Sequence, residues 1–202
     1  MPGGRPRAFD IDAALDRALA VFWRHGYEGA ALSELTAAMG INRPSMYATF
    51  GNKAELFGIV LDRYIAGPGS YAAEALRLSS AREVAAALLY GAIELTTSSS
   101  APGCLSVRSV QVCGPDAEPS RAQALARRLA AEAALRLRLD QAHADGDLPH
   151  DSDPGDLARF LMTVSDGIAV QAVAGTSPDQ LRRIVEIALQ AWPPPTRQPS
   201  GG

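Results

Sequence analysis

The stretch Gly26–Phe57, "GYEGAALSELTAAMGINRPSMYATFGNKAELF", decides how the chain reads. "LSELTAAMG" is a short helical run that stops at Gly40, a good C-cap residue. Asn42 then caps a second run, about Arg43 to Phe50, with Arg43 and Pro44 in the first turn, where proline is tolerated. Gly51 ends it. Asn52 and Glu55 have the spacing of a capping box, with Asn in place of the usual Ser or Thr, and open a helix through Leu56, Val60 and Tyr64 to "GPG" at Gly67–Gly69. Upstream, Ile11, Leu15, Ala18, Leu19 and Phe22 fall on one face at helical spacing, opened by Asp10 or Asp12 and closed near Gly26. Three short helices joined by tight Gly-bearing turns describe a helix-turn-helix, with Met39 and Phe50 as apolar pins. Its second helix, Arg43 to Phe50, would be the recognition helix.

Charge points to the same place. Lys53 is the only lysine among 19 basic residues, and no acid lies between Gly40 and Lys53, although the chain carries a net charge of −3. Residues 1–53 hold six basic and five acidic residues; residues 54–202 hold 13 basic and 17 acidic. The N-terminal quarter is therefore the part suited to phosphate. Arg43 is a fork for guanine or phosphate, and Ser45, Tyr47 and Thr49 are hydroxyl donors for phosphate oxygens. Asn42 offers an amide beside a helix N-terminus, where backbone N–H groups favour anions, and Lys53 opens the next helix in the same way.

Hydrophobic residues make up 47% and charged residues 20%, enough to bury a core. No apolar run is long enough for a membrane span, and "MPGGRPRAFDID" lacks a signal-peptide core, so a cytoplasmic protein with no membrane partner is expected. Beyond Gly69, helices are predicted at about 70–79, 82–98, 103–113, 118–145, 154–175 and 178–192, separated by "SSSAPG", "GPDAEP" and "DGDLPHDSDPGD". Only "CLSVRSVQV" is ambiguous between helix and strand. The expected fold is all-α, about nine helices: a DNA-binding unit at 6–66 with its helix-turn-helix at about 30–50, a helical body at 67–195, and a tail at 196–202.

The wording of the opening stretch resembles the DNA-binding signature of the tetracycline-repressor (TetR) family of transcription regulators. The matching features are Gly26-Tyr27, Leu35, Ala37-Ala38, Gly40-Ile41, Ser45, Tyr47, Phe50, Asn52-Lys53 and Glu55-Leu56-Phe57. The resemblance is strong over about 10–66 and looser beyond, with "PGCLSVR" and "DGIAVQAVAG" as weaker echoes. It implies that Tyr47 and Lys53 clamp phosphates, and that Arg43, Ser45, Met46 and Thr49 reach the groove. Phe22, Leu35, Phe50 and Leu56 are core. Arg5 and Arg7 are either a flexible arm on the DNA or a solvated tail. Two positions depart from the family. Ala30 and Ala31 stand where Ser or Thr usually caps the second helix, a loss of about 1 kcal/mol for which Ser33 partly substitutes. Pro44 takes a place usually small or polar and removes a backbone donor.

Family members are homodimers bound to a double-stranded operator. Leu157, Leu161, Val164 and Ile168 line one helix here, and Leu181, Ile184, Val185, Ala188, Leu189 and Trp192 line the last. These faces form either a four-helix dimer seam or the inside of one chain. The resemblance also implies a pocket for an unknown small-molecule effector, with Leu89, Tyr90, Ile93, Cys104, Val107, Met162, Asp166 and Gln171 as candidates. Asp166 is the only charge between Arg159 and Asp179, and a carboxylate buried alone is costly, so it meets either a structural partner or a ligand. Cys104 is either an inert cysteine or a thiol sensor aided by Arg108, four residues on. Cys104 and Cys113, nine residues apart, would face opposite sides of one helix, which excludes a local disulfide.

The histidines His25, His143 and His150 are scattered, with His25 and His143 near helix ends, where they suit the dipole. No metal-ligand spacing, nucleophile elbow or phosphate loop is present. No enzyme activity, metal or cofactor is expected. The leading expectation is a homodimeric repressor released by its effector. The alternative is a helical binding module with a vestigial helix-turn-helix, to which the missing cap at Ala31 lends support.

Overall fold

The computed structural model describes residues 9–98, 102–111, 114 and 117–194, and within them the chain forms ten α-helices and no strand. Arg5, Arg7, Cys113 and the tail 196–202 lie outside the described residues. The first four helices are α1 (Ile11–Gly29), α2 (Leu32–Met39), α3 (Arg43–Phe50) and α4 (Lys53–Ala66). The remaining six are α5 (Ser70–Ala75), α6 (Ala81–Ser98), α7 (Leu105–Val110), α8 (Glu118–Ala144), α9 (Pro154–Val173) and α10 (Pro178–Gln190).

The caps explain most boundaries. The Asp10 carboxylate accepts from Ala13 N, and Asp153 and Ser177 cap α9 and α10 in the same manner. Gly26 breaks α1 as expected (φ 71°, ψ 179°), but one further turn follows to Gly29. The predicted helix at 70–79 ends at Ala75. "RLSS" is instead a turn whose last residue caps α6: Ser80 Oγ accepts from Glu83 N at 3.2 Å, and the Glu83 carboxylate accepts from Ser80 N at 3.0 Å. That reciprocal cap is incompatible with continuing α5. "CLSVRSVQV" resolves as α7, a shorter helix than the expected 103–113, with Cys104 as its N-cap residue outside the helix proper.

Two apolar clusters form the interior. The first joins α1–α4 around Phe22, Leu35, Met39, Met46, Leu56 and Phe57, all at most 2% exposed, and draws in Leu105 and Ala124 from the C-terminal part. Rings dominate it: Phe57 meets Phe22 at 5.0 Å and Tyr27 at 5.2 Å between centroids, both edge-on. The second cluster joins α6, α8, α9 and α10 through aliphatic side chains and alanines.

This second cluster corrects the expected dimer seam. Leu161, Ile168, Leu181 and Val185 are at most 1% exposed within the single chain, and Ala188 and Trp192 are also buried. Leu157 and Val164 are half-buried against the same cluster. The 3.6-residue stripes were real, but α6 covers them. Ile184 alone of that set is substantially exposed, at 40%, and it shares the surface of α10 with Ile187 at 65%.

Candidate nucleic-acid interface and the cavity behind it

The turn between α2 and α3 is built by two residues. Gly40 adopts the left-handed conformation (φ 70°, ψ 28°), which costs a side chain with Cβ far more than glycine. It lets Gly40 N donate to Ala37 O at 3.2 Å and Ile41 N to Thr36 O at 3.1 Å, closing α2. Asn42 then accepts from Ser45 N at 2.8 Å. Its side-chain oxygen is thus committed to the cap, which leaves the amide nitrogen as the end that reaches outward. The N-cap of α2, Ala31, makes no side-chain bond, as the sequence predicted. Ser33 does not supply the missing cap: it is exposed, and only its backbone carbonyl is engaged, by Thr36 Oγ.

α3 divides cleanly. Met46 and Phe50, four residues apart, point inward at 0% and 5% exposure. Met46 is therefore a core residue, and its expected place in a groove is corrected: the i, i+4 partner of a buried Phe50 lies on the buried face. Arg43, Pro44, Tyr47 and Thr49 are exposed and Ser45 is half-exposed, with Tyr47 at 51%. Arg43 and Tyr47 are one turn apart, so they share a surface that carries no carboxylate from α3 itself.

The start of α4 adjoins that surface. Asn52 accepts from Ala54 N and Glu55 N at 2.9 and 3.0 Å, and the Glu55 carboxylate accepts from Asn52 N at 2.7 Å. The Lys53 ammonium sits 4.6 Å from the centroid of the Tyr27 ring, a cation–π contact that orders a long side chain. Partial burial holds this ammonium below the usual lysine range, while the Glu28 carboxylate pulls it back up. The His25 Nε2 lies 3.0 Å from a Glu34 oxygen on α2, and His143 stands in the last turn of α8.

Behind this face, α4 is tied to the C-terminal part. Gln123 Nε2 on α8 donates to Ala54 O at 3.1 Å. Arg127, one turn on, donates to both Asp62 oxygens at 2.7 and 2.8 Å and to Gly58 O at 3.1 Å. Gly58 permits the approach: a Cβ there would stand 2.1 Å from Gln123 Oε1. The loop before α7 holds α1 as well, with Trp23 Nε1 donating to Gly103 O at 3.0 Å. Arg108 donates to Trp23 O at 3.1 Å. It turns to α1 and not to Cys104, so the thiol-sensor alternative loses the help of Arg108.

A cavity of about 400 Å³ lies between the ends of α4, α5 and α7 and the middles of α6, α8 and α9. Of the candidate effector residues, Cys104, Val107, Met162 and Asp166 line it. Four others do not. Leu89 and Ile93 are core residues at 0% and 2% exposure, and Tyr90 packs beside them. Gln171 is exposed and accepts from the Thr176 hydroxyl. The sequence missed Tyr64, Tyr71, Arg127 and Arg128, whose chain separations of tens of residues leave no local signal. Asp166 is ion-paired with Arg128 on α8, so the carboxylate is not buried alone. The Tyr64 hydroxyl meets Cys104 Sγ at 3.2 Å, and burial pushes the phenols of Tyr64 and Tyr71 up, out of reach of titration in ordinary conditions.

Residues 14–59 match the model of bacterial regulatory proteins of the tetR family. Along nearly its whole length the chain is similar to the HTH-type transcriptional repressor ComR of Escherichia coli (strain K12), 36% identical over 94% of this chain and 92% of that one. It also resembles the HTH-type transcriptional repressor BdcR of the same organism, at 29% over 93% and 91%. Among solved structures, the TetR family transcriptional regulator CifR, in a cysteine mutant complexed with 26-bp double-strand operator DNA, superposes with a TM-score of 0.88. It is 43% identical over 94% of this chain and all of that one. The all-α architecture and the resemblance seen in the N-terminal stretch agree with these matches, and the chain belongs to the tetR family of bacterial transcriptional regulators, which are not enzymes.

Proposed function

We propose that the chain is a cytoplasmic repressor that binds a pseudo-palindromic operator as a homodimer and is released by a small-molecule effector. The observation that carries this reading is the exposed, acid-free surface of α3, with Arg43 and Tyr47 beside the ordered Lys53. Tyr47 and Lys53 hold phosphates, Arg43 reads base edges, and Ser45, Thr49 and the Asn42 amide complete the contact, with Ser33 and Pro44 at its margin. Residues 6–66 act as the reading unit and 67–195 as the effector and dimer body. The partner subunit packs on the exposed apolar side chains left on α9 and α10, namely Val170, Val173, Ile184 and Ile187. A dimer is required mechanically, because two recognition helices must meet successive major grooves at a fixed spacing.

Release follows if the effector prefers the state in which the two α3 helices are wrongly spaced. Support for that route is the shared wall: Tyr64 and Ile65 of α4 and Arg127 of α8 both border the cavity and lie on the path to α3. A vestigial helix-turn-helix loses its one support, since α2 forms its eight residues without a side-chain cap.

The test is duplex binding to the DNA upstream of the chain's own gene across a salt series. Specific binding that weakens steeply with salt is expected. No preference for any duplex at low salt would sink the repressor reading.

A further inference from the structure

We infer that the cavity takes an uncharged, predominantly apolar effector bearing a single hydroxyl or carbonyl, and that it rejects carboxylates and ammonium ions of the same size. The inference rests on the effector reading above and names the class of ligand. It comes from the charge balance of the wall. Three charged side chains border the cavity, and each is already engaged. Arg127 is held by both oxygens of Asp62 and by Gly58 O. Arg128 and Asp166 pair with each other, with side-chain exposures of only 18% and 33%. An incoming anion would have to displace Asp166 from Arg128 and leave a carboxylate unpaired. An incoming cation would have to do the reverse. Either exchange strands a partly buried charge, which costs far more than the hydrogen bond gained.

The rest of the wall fits a neutral guest. Leu76, Leu88, Leu95, Val107, Leu135 and Met162 supply apolar surface. The remaining polar groups are uncharged. Tyr64 is bonded to Cys104, and Tyr71 lies beside Ser165. The Ser106 hydroxyl has no hydrogen-bond partner among the described residues and lines the cavity, so it is the group left to fix a single polar head. Pockets of this kind orient apolar ligands through one or two placed polar groups.

The experiment uses the full chain and matched trios: a ten-carbon chain and a monoterpene-sized ring, each as alcohol, carboxylate and amine at pH 7. Binding is measured by calorimetry and thermal shift without DNA, so a failure to bind duplex bears only on the repressor reading. At least one alcohol should bind at least tenfold more tightly than its charged counterparts. The inference is overturned if neither alcohol binds, or if a carboxylate or amine binds as well as its alcohol. Two variants sharpen the result. Asp166→Asn frees Arg128, so the carboxylates should gain at least tenfold relative to the matched alcohols. Ser106→Ala should weaken the alcohols and leave the thermal midpoint of the free protein unchanged. If D166N gives the carboxylates nothing while the fold is intact, the Arg128–Asp166 balance is not what sets the preference.

Discussion

The two apolar clusters hold their helices by different means. In α1–α4, the rings of Phe22 and Tyr27 lock edge-on within 5.2 Å of Phe57, and short helices leave little room to adjust. In the body, helices pack mainly through aliphatic side chains and alanines, and a cavity of about 400 Å³ opens beside them with Tyr64, Tyr71, Met162 and the Arg128–Asp166 pair in its wall. The difference matches two mechanical tasks. A reading helix must hold its side chains to a fraction of an ångström, whereas an effector site must change shape at modest cost. Interlocked aromatic packing resists displacement, and a cavity walled largely by flexible apolar side chains gains contacts when a guest enters. The two regions meet at Trp23 against Gly103, Tyr64 against Cys104, Arg127 across to Asp62 and Gln123 across to Ala54.

The largest expected effect breaks the comparison inside one helix. Met46→Ala removes a fully buried side chain from the first cluster and should destabilise the chain by about 2–5 kcal/mol, read by urea unfolding. Tyr47→Ala, at the next position, should leave the unfolding midpoint almost unmoved and weaken binding to every duplex. Equal losses of stability in the two variants would mean that α3 has no division into a buried and a reading face.

Adding volume contrasts the two clusters directly. Ala14 is fully buried in the first, and Ala14→Leu should cost about 1–3 kcal/mol or more through overpacking. Ala92 is also buried but borders the cavity, so Ala92→Leu should cost less than about 1 kcal/mol and block effector binding. If Ala92→Leu is as damaging as Ala14→Leu, the body is as tightly packed as the reading unit, and the proposed division of labour fails.

Within the reading surface, Arg43→Ala should relax base discrimination by about 1–3 kcal/mol at one operator position, seen by competition among single-substituted duplexes. Lys53→Ala should instead weaken all duplexes and lower the salt slope by about one. A uniform loss from Arg43→Ala would make it a phosphate contact.

The reading unit was legible because its signals are local. Gly40, Asn42, Asn52 and Glu55 act through hydrogen bonds spanning two to five residues, so spacing alone exposes them. Met46 escaped because a family motif names positions without saying which side they face; its spacing from Phe50 held the answer. In the body, helical stripes located α9 and α10 but not what covers them. Leu161 and Val185 turn to α6 or to a second subunit according to tertiary packing, which periodicity cannot decide. The cavity was half found for the same reason. Cys104, Val107, Met162 and Asp166 meet Tyr64 and Arg128 only through folding. Likewise "RLSS" reads as helix until Ser80 and Glu83 cap each other.

The smallest effect concerns the gap in that otherwise well-capped unit. Ala31 already has the extended backbone of an N-cap residue (φ −68°, ψ 143°), and its carbonyl accepts from Leu35 N at 3.0 Å. Only the side-chain acceptor is missing, and the position is exposed, so Ala31→Ser introduces no clash from burial. The variant should gain about 1 kcal/mol in unfolding free energy. Because α2 packs on the α1 end of the same ring cluster, that gain should slow local opening of α2 and α3 in hydrogen exchange and leave α9 and α10 unchanged. An unchanged midpoint would show that water already satisfies the first N–H groups of α2. Protection that spreads equally into the body would show that the two clusters open together, and that the border at Trp23, Tyr64 and Arg127 is no border at all.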